Sequence, residues 1–329
     1  MTARRVAAGA LLALALPLAA CGGSDGDAAA QGGWTFTDDI GTEIERDEVP
    51  DRIVAQSSVA AALTDLGLGD KVVGVFGPLT NPDGEPDLQA VGLDVDAVED
   101  VTGSGEYGDL DLEKIAELQP DLIVTSTYLE PEPWYVNETT LERLEGQFPV
   151  AIITFQDQSQ TEIFDNTERI AEALGADPAD FTEGREAFEA ASERLRSVVE
   201  EVGDPTFQAV STSPDIFYVS NPDANPDLRY YRDELGLDIV TPPDEDLDEG
   251  GYWQTLSWEE ADRYDADVAL WDARGGSAAL DLLEGQPVWT STTAGREDAY
   301  VEWNTVAPPS AQGRATIMEL FADRLEELG

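Results

Sequence analysis

The chain has 329 residues, with 69 Asp and Glu against 18 Lys and Arg, a formal net charge of −51, no histidine and a single cysteine. So negative a field repels phosphate backbones, which removes nucleic acid from the expected partners. Without histidine, Ser-His-Asp triads, Cys-His dyads and histidine-ligated zinc or haem are excluded, while 42% apolar residues suffice to pack cores beneath a solvated acidic surface.

The chain opens with Arg4 and Arg5, an apolar run over 6–16, and Leu18-Ala19-Ala20-Cys21. A basic start, an apolar stretch and small residues at a junction predict a secretory signal peptide over 1–20. The cysteine at that junction resembles a bacterial lipobox. It implies that Cys21 is lipidated, by palmitate among other chains, and anchors the mature protein to the extracytoplasmic face of a cell membrane. The apolar run itself is too short to span a bilayer, which takes about 20 residues. Residues 21–33 are small, polar and glycine-rich and read as a flexible tether.

Segments 34–37 and 40–44 read as a hairpin turning near Asp38-Asp39. After Pro50, apolar runs alternate with helical patterns: strands over 52–55, 71–76, 121–125 and 150–153, with helices over 58–66, 110–118 and 139–145. Such alternation predicts a mostly parallel sheet covered by helices. The longest helical pattern covers 177–203, with Asp177 as N-cap, Pro178 at the first position and Gly203 as the stop. Its apolar residues, Phe181, Phe188, Ala191, Leu195, Val198, Val199 and Val202, fall on one face. The second half predicts strands over 207–211, 217–219, 268–271 and 299–301, and helices over 226–235, 257–262 and 310–328. The expected fold class is therefore α/β, two β-α lobes with mostly parallel sheets joined by one long helix, and a ligand cleft between them. The expected divisions are an N-terminal lobe over 34–160, a linking region over 161–203 and a C-terminal lobe over 204–329.

Three motifs carry a family resemblance. The first runs from Asp111-Leu112-Glu113-Lys114-Ile115 to Leu118-Gln119-Pro120-Asp121-Leu122-Ile123; the second is Ser257-Trp258-Glu259-Glu260 before Asp265-Ala266-Asp267-Val268. The third is Val288-Trp289 before Ala299-Tyr300-Val301. In this order, behind a lipobox, they resemble the substrate-binding lipoproteins of ABC importers for ferric siderophores and cobalamin. The resemblance implies a monomer that performs no chemistry, has no cofactor of its own, and hands an Fe(III)-siderophore chelate to an ABC permease and its ATPase. It also implies that Glu113 and Glu259 dock on permease arginines, which suits two carboxylates held apart on rigid lobes.

Ligands of open α/β sheets sit at loops after strand ends. The candidate contacts at such places are Tyr107, Tyr128, Trp134, Tyr135, Tyr252, Trp253, Trp271 and Trp303. Tyr252-Trp253 resembles the Phe-Trp pair of hydroxamate-siderophore binders, and Tyr128 falls near one of their ligand tyrosines. Those binders carry an arginine shortly before the motif at Glu113, where this chain has Tyr107; either Tyr107 donates the hydrogen bond instead, or the arginine comes from the other lobe as Arg229 or Arg274, because guanidinium forks onto paired oxygens. The acidic field favours neutral or cationic hydroxamate chelates over a trianionic catecholate. Cobalamin or haem in the same fold, and a surface carbohydrate-active enzyme built on two carboxylates, stand as alternatives.

Overall fold

A computed structural model of the protein describes residues 33–104, 107–248 and 250–329. The expected signal peptide, Cys21 and the tether through residue 32 lie outside the described residues.

Strands β1 (Trp34–Thr37) and β2 (Glu43–Arg46) form an antiparallel hairpin that sets Phe36 opposite Ile44. There follow β3 (Ile53–Gln56), α1 (Ser57–Leu63), β4 (Val72–Phe76), α2 (Leu112–Leu118), β5 (Leu122–Thr127), α3 (Glu138–Glu145) and β6 (Val150–Thr154). Their strands make an all-parallel sheet in the order β4-β3-β5-β6. Every residue of β3, β5 and β6 is buried, as expected of a sheet covered on both faces. The helix α2 starts where the Asp111 carboxylate accepts the Lys114 amide at 3.0 Å and stops at Gln119, whose φ is +50°, just before Pro120.

Next come α4 (Gln160–Ala173) and α5 (Phe181–Glu201). The expected linking region over 161–203 names only the long helix, yet Ser159 and Glu162 form a reciprocal capping box that starts α4. Asp177 caps a 3₁₀ turn, Pro178–Asp180, ahead of α5 rather than α5 itself. From Phe181 the α-helix is unbroken to Glu201, and Gly203, at φ +100°, ends it. Phe181 lies in the core beneath the first sheet, whereas Phe188, Ala191, Leu195, Val198 and Val199 lie in the core of the second half. One rod therefore contributes to both cores.

The second half contains β7 (Thr206–Thr212), β8 (Phe217–Ser220), α6 (Pro226–Asp233), β9 (Asp238–Ile239), β10 (Trp253–Leu256), β11 (Val268–Asp272), α7 (Ser277–Glu284), α8 (Thr293–Glu297), β12 (Tyr300–Trp303) and α9 (Ala311–Leu328). Its sheet runs β10-β8-β7-β11-β12, with β9 against the start of β7. The β7–β11, β11–β12 and β7–β9 pairs are parallel, but β8 is antiparallel to both β7 and β10. Residues 213–216 explain the reversal: a parallel crossover needs about a dozen residues, and so short a link permits only a hairpin. The helix α9 packs on α5 through Ala311, Ala315, Met318, Phe321, Ala322 and Leu325.

Other expectations are corrected. The segment 257–262 is a single 3₁₀ turn, Trp258–Glu260, held by a Ser257–Glu260 capping box, because Asp267 pairs with Thr206 and draws the chain straight into β11. Trp253, Trp271 and Trp303 lie within strands rather than loops. No helix among the described residues is long and apolar enough to cross a membrane.

Candidate functional site

A cavity of about 310 Å³ lies between the two sheets, within the size range of small-molecule sites. The first half lines it with Tyr128, Leu129 and Trp134, from the loop after β5. The second half contributes Asn225 ahead of α6, then Asp248, Gly250, Tyr252 and Trp253 around the start of β10. Arg274 after β11, and Thr305 and Val306 after β12, complete the wall.

The aromatic side chains pack in two groups. Tyr128 meets Trp134 edge-on at 5.2 Å between centroids and Tyr252 at 6.2 Å. Tyr107 meets Trp134 at 5.9 Å and Tyr135 at 4.8 Å. Trp253 meets Trp303 at 6.0 Å. Hydrogen bonds fix the first group: the Tyr252 hydroxyl donates to the Tyr128 carbonyl across the cleft at 2.7 Å, and the Tyr107 hydroxyl accepts the Tyr135 amide at 3.0 Å. Burial raises the Tyr107, Tyr128 and Tyr135 phenols above their usual range and Tyr252 to about 12. At neutral pH all four are uncharged hydrogen-bond donors. The Trp134 indole nitrogen is buried without an acceptor.

Among the described residues, Arg274 is the one guanidinium in the wall. Its Nε and Nη2 donate to the two oxygens of Asp272 at 2.8 and 2.6 Å, and Asp272 also accepts the Ser211 hydroxyl at 2.8 Å. The fork is thereby locked with its charge balanced, and Nη1 has no protein acceptor among the described residues. Behind the cavity, Asp227 and Arg314 form a pair buried to 2% and 4% side-chain exposure. Asp227 accepts the Trp303 indole at 2.8 Å and Arg314 donates to the Thr305 carbonyl at 3.0 Å, so this pair holds the strand end from which Thr305 and Val306 project.

Of the sequence-predicted contacts, Tyr128, Trp134, Tyr252, Trp253 and Arg274 line this cavity together. Tyr107 and Tyr135 stack beside it. Trp303 is a second layer behind Trp253, tied to Asp227. Trp271 does not join them: strand alternation turns it to the other side of β11, where it lines a neighbouring cavity of about 350 Å³. Arg229 is not in the wall either; its guanidinium bonds the Asp223 and Gln158 carbonyls and ties α6 to the loop after β6. Sequence reasoning missed Asn225, together with Leu129, Asp248, Gly250, Thr305 and Val306. The Asn225-Pro226 helix start was a readable signal for the first; nothing local marks the others.

Glu113 and Glu259 lie exposed in the first turn of α2 and in the 3₁₀ turn before β11. Their acidic neighbours are occupied, Asp111 as the α2 cap and Glu260 by Ser257 and Arg263, whereas neither of the two takes part in an ion pair among the described residues. Nor do the described residues gather three or more Cys, Asp or Glu side chains that could hold a metal ion.

Two α/β halves, a shared rod and a walled cavity between them define a two-lobed solute-binding protein. The sequence agrees: residues 53–306 match the periplasmic binding protein family, and the chain belongs to that family of extracytoplasmic binding proteins, which are not enzymes. It is 27% identical over 200 residues to the iron(3+)-hydroxamate-binding protein YxeB of Bacillus subtilis, and the match spans 57% of each chain. The crystal structure of DesE, a ferric-siderophore receptor protein from Streptomyces coelicolor, superposes with a TM-score of 0.78 at 34% identity, covering 89% of this chain and 98% of that one. The siderophore periplasmic binding protein from the fuscachelin gene cluster of Thermobifida fusca shares the fold, with a TM-score of 0.58 at 21% identity over 84% of this chain and 97% of that one.

Proposed function

We propose that this protein captures a ferric siderophore, of hydroxamate type, and delivers it unaltered to an ABC permease for iron uptake. The observation that carries the reading is the cavity wall, a lining of neutral phenols and indoles around one guanidinium whose charge Asp272 already balances. A ferric trihydroxamate brings all its own metal donors and presents a largely apolar surface with paired oxygens. Arg274 Nη1, which has no protein acceptor among the described residues, suits those oxygens. With Asp248 also in the wall, the site offers no net positive charge to offset a trianionic catecholate. The relationship to DesE, a ferric-siderophore receptor protein, supports a ferric siderophore, and that to YxeB, an iron(3+)-hydroxamate-binding protein, supports the hydroxamate type.

The anchor and the docking partner belong to this proposal. Cys21 carries lipid and tethers a monomer to the outer face of the membrane, and Glu113 and Glu259 engage the permease. Tryptophan quenching of the purified protein with ferric trihydroxamates, ferric catecholates, cobalamin and haem tests the ligand class. Saturable quenching by the trihydroxamates at the lowest concentrations is expected, and quenching by none of the iron chelates refutes it. Mass spectrometry of the mature protein from membranes tests the anchor; an unmodified Cys21 refutes it.

A further inference from the structure

The loop after β4 is a small hairpin reaching from the first half toward the second. Thr80 bridges Pro86, the Asn81 amide donates to the Glu85 carbonyl at 2.8 Å, and the Asn81 side chain accepts the Asp83 and Glu85 amides at 3.0 Å each. This leaves the Asp83 carboxylate presented at the tip. Across the cleft it accepts two bonds from the first residue of α7, the Ser277 amide at 2.6 Å and the Ser277 hydroxyl at 2.8 Å. Those bonds hold the Asp83 carboxyl below its usual range.

The helix α7 is built to receive this carboxylate. Helices α1 to α4, α8 and α9 are capped by a side chain at their own N-cap position. At α7 that position is Gly276, which has no side chain to offer. A β-carbon there would come within 2.8 Å of Asp83 and 3.2 Å of Pro82, and the backbone, at φ +62° and ψ −164°, is one that only glycine adopts readily. The absent side chain is thus what lets the hairpin approach. The turn between β11 and α7 is short, and it carries Asp272 and Arg274 at one end and Gly276 and Ser277 at the other. Ser277 and the residue whose guanidinium faces the cavity are therefore three positions apart in one short turn.

We propose that Asp83 is a positioning residue of the binding site, capping α7 from the opposite lobe so that lobe closure and the placement of Arg274 are set together. The bonds are solvent-exposed, so the latch can release when the lobes part. The proposal rests on the reading of the cavity as the ligand site, and its test separates the two.

The test compares wild-type protein with Asp83→Ala, Asp83→Asn, Arg274→Gln and the Asp83→Ala/Arg274→Gln double variant. Affinity for a ferric trihydroxamate is read by tryptophan quenching, dissociation by stopped flow, and apo dimensions by small-angle scattering. Loss of a helix cap predicts about fivefold faster dissociation for Asp83→Ala, with substantial rescue by Asp83→Asn, which keeps the acceptor. In the Arg274→Gln background the Asp83→Ala change should add little, because both act through one guanidinium. The apo radius of gyration should rise for Asp83→Ala and not for Asp83→Asn. Wild-type dissociation in Asp83→Ala, or full additivity with Arg274→Gln, overturns the proposal. Should the wild type bind no ferric chelate, the ligand reading fails, and the latch stands or falls on the scattering comparison alone.

Discussion

Asp65 offers a test of how burial acts at the junction of the halves. It lies just beyond α1, where Ser310, the N-cap of α9, donates its hydroxyl to the carboxylate at 2.5 Å. Glu168, Asp180 and Glu183 line the same small cavity of about 80 Å³. Burial is the dominant influence, outweighing the Ser310 and Gly313 hydrogen bonds, and it lifts the carboxyl from 3.8 to about 6. A displacement of about two pH units is equivalent to about 3 kcal/mol, and partial solvent screening reduces this to about 1–2 kcal/mol. The sign follows from linkage: the folded state holds this proton more tightly than the unfolded chain. The ionised carboxylate therefore costs stability at pH 7, and the cost disappears as pH falls through about 6 toward 4. Asp65→Asn keeps an acceptor for Ser310 but cannot ionise. In urea, which leaves ionic strength unchanged, the variant should be about 1–2 kcal/mol more stable than wild type at pH 7. Its advantage should shrink steadily to near zero at about pH 4. Taking the difference between the two proteins cancels the other carboxylates. A variant no more stable than wild type at pH 7, or one whose advantage is independent of pH, would show that desolvation does not govern this group.

Tyr252→Phe removes the cross-cleft bond to the Tyr128 carbonyl while keeping the ring; a net loss of about 1 kcal/mol should weaken chelate binding about fivefold, and unchanged quenching curves would mean the bond plays no part in the bound state. Arg314→Met strands the buried Asp227 carboxylate and should destabilise by about 3–5 kcal/mol in denaturant unfolding, with most of the loss recovered when Asp227→Leu is added. No recovery would point to the contacts of Arg314 with Thr305 rather than to the stranded charge. Glu113→Ala with Glu259→Ala should leave chelate affinity unchanged yet abolish chelate-stimulated transport in proteoliposomes containing the permease; a weakened affinity with intact transport would place both residues elsewhere in the mechanism.

Much of the architecture is readable from local physics. The cap at Asp111, the stop at Gly203 and the apolar face of α5 each act within a few residues, so pattern and element coincide. The Ser159–Glu162 capping box was equally legible and marks α4, which the linking-region reading passed over. α7 differs: Gly276 supplies no capping side chain, its cap comes from Asp83, and no local signal could announce it. Trp271 shows the limit of counting aromatics near strand ends. Its neighbour Asp272 turns to Arg274, which lines the cavity between the halves, while Trp271 itself points to the opposite side of β11, as a period of two requires.

The amino-acid order alone determined most of the succession of strands and helices, the unbroken rod and the acidic, histidine-free chemistry, because these depend on neighbours a few positions apart. Which aromatic residues converge, which arginine faces the cavity and which carboxylate crosses to the other half were decided only by tertiary structure. Those relations join residues more than a hundred positions apart, as Tyr252 with Tyr128 and Ser277 with Asp83. Sheet register, strand parity and the docking of two cores on one helix determine them, and none of these is a property of any single segment.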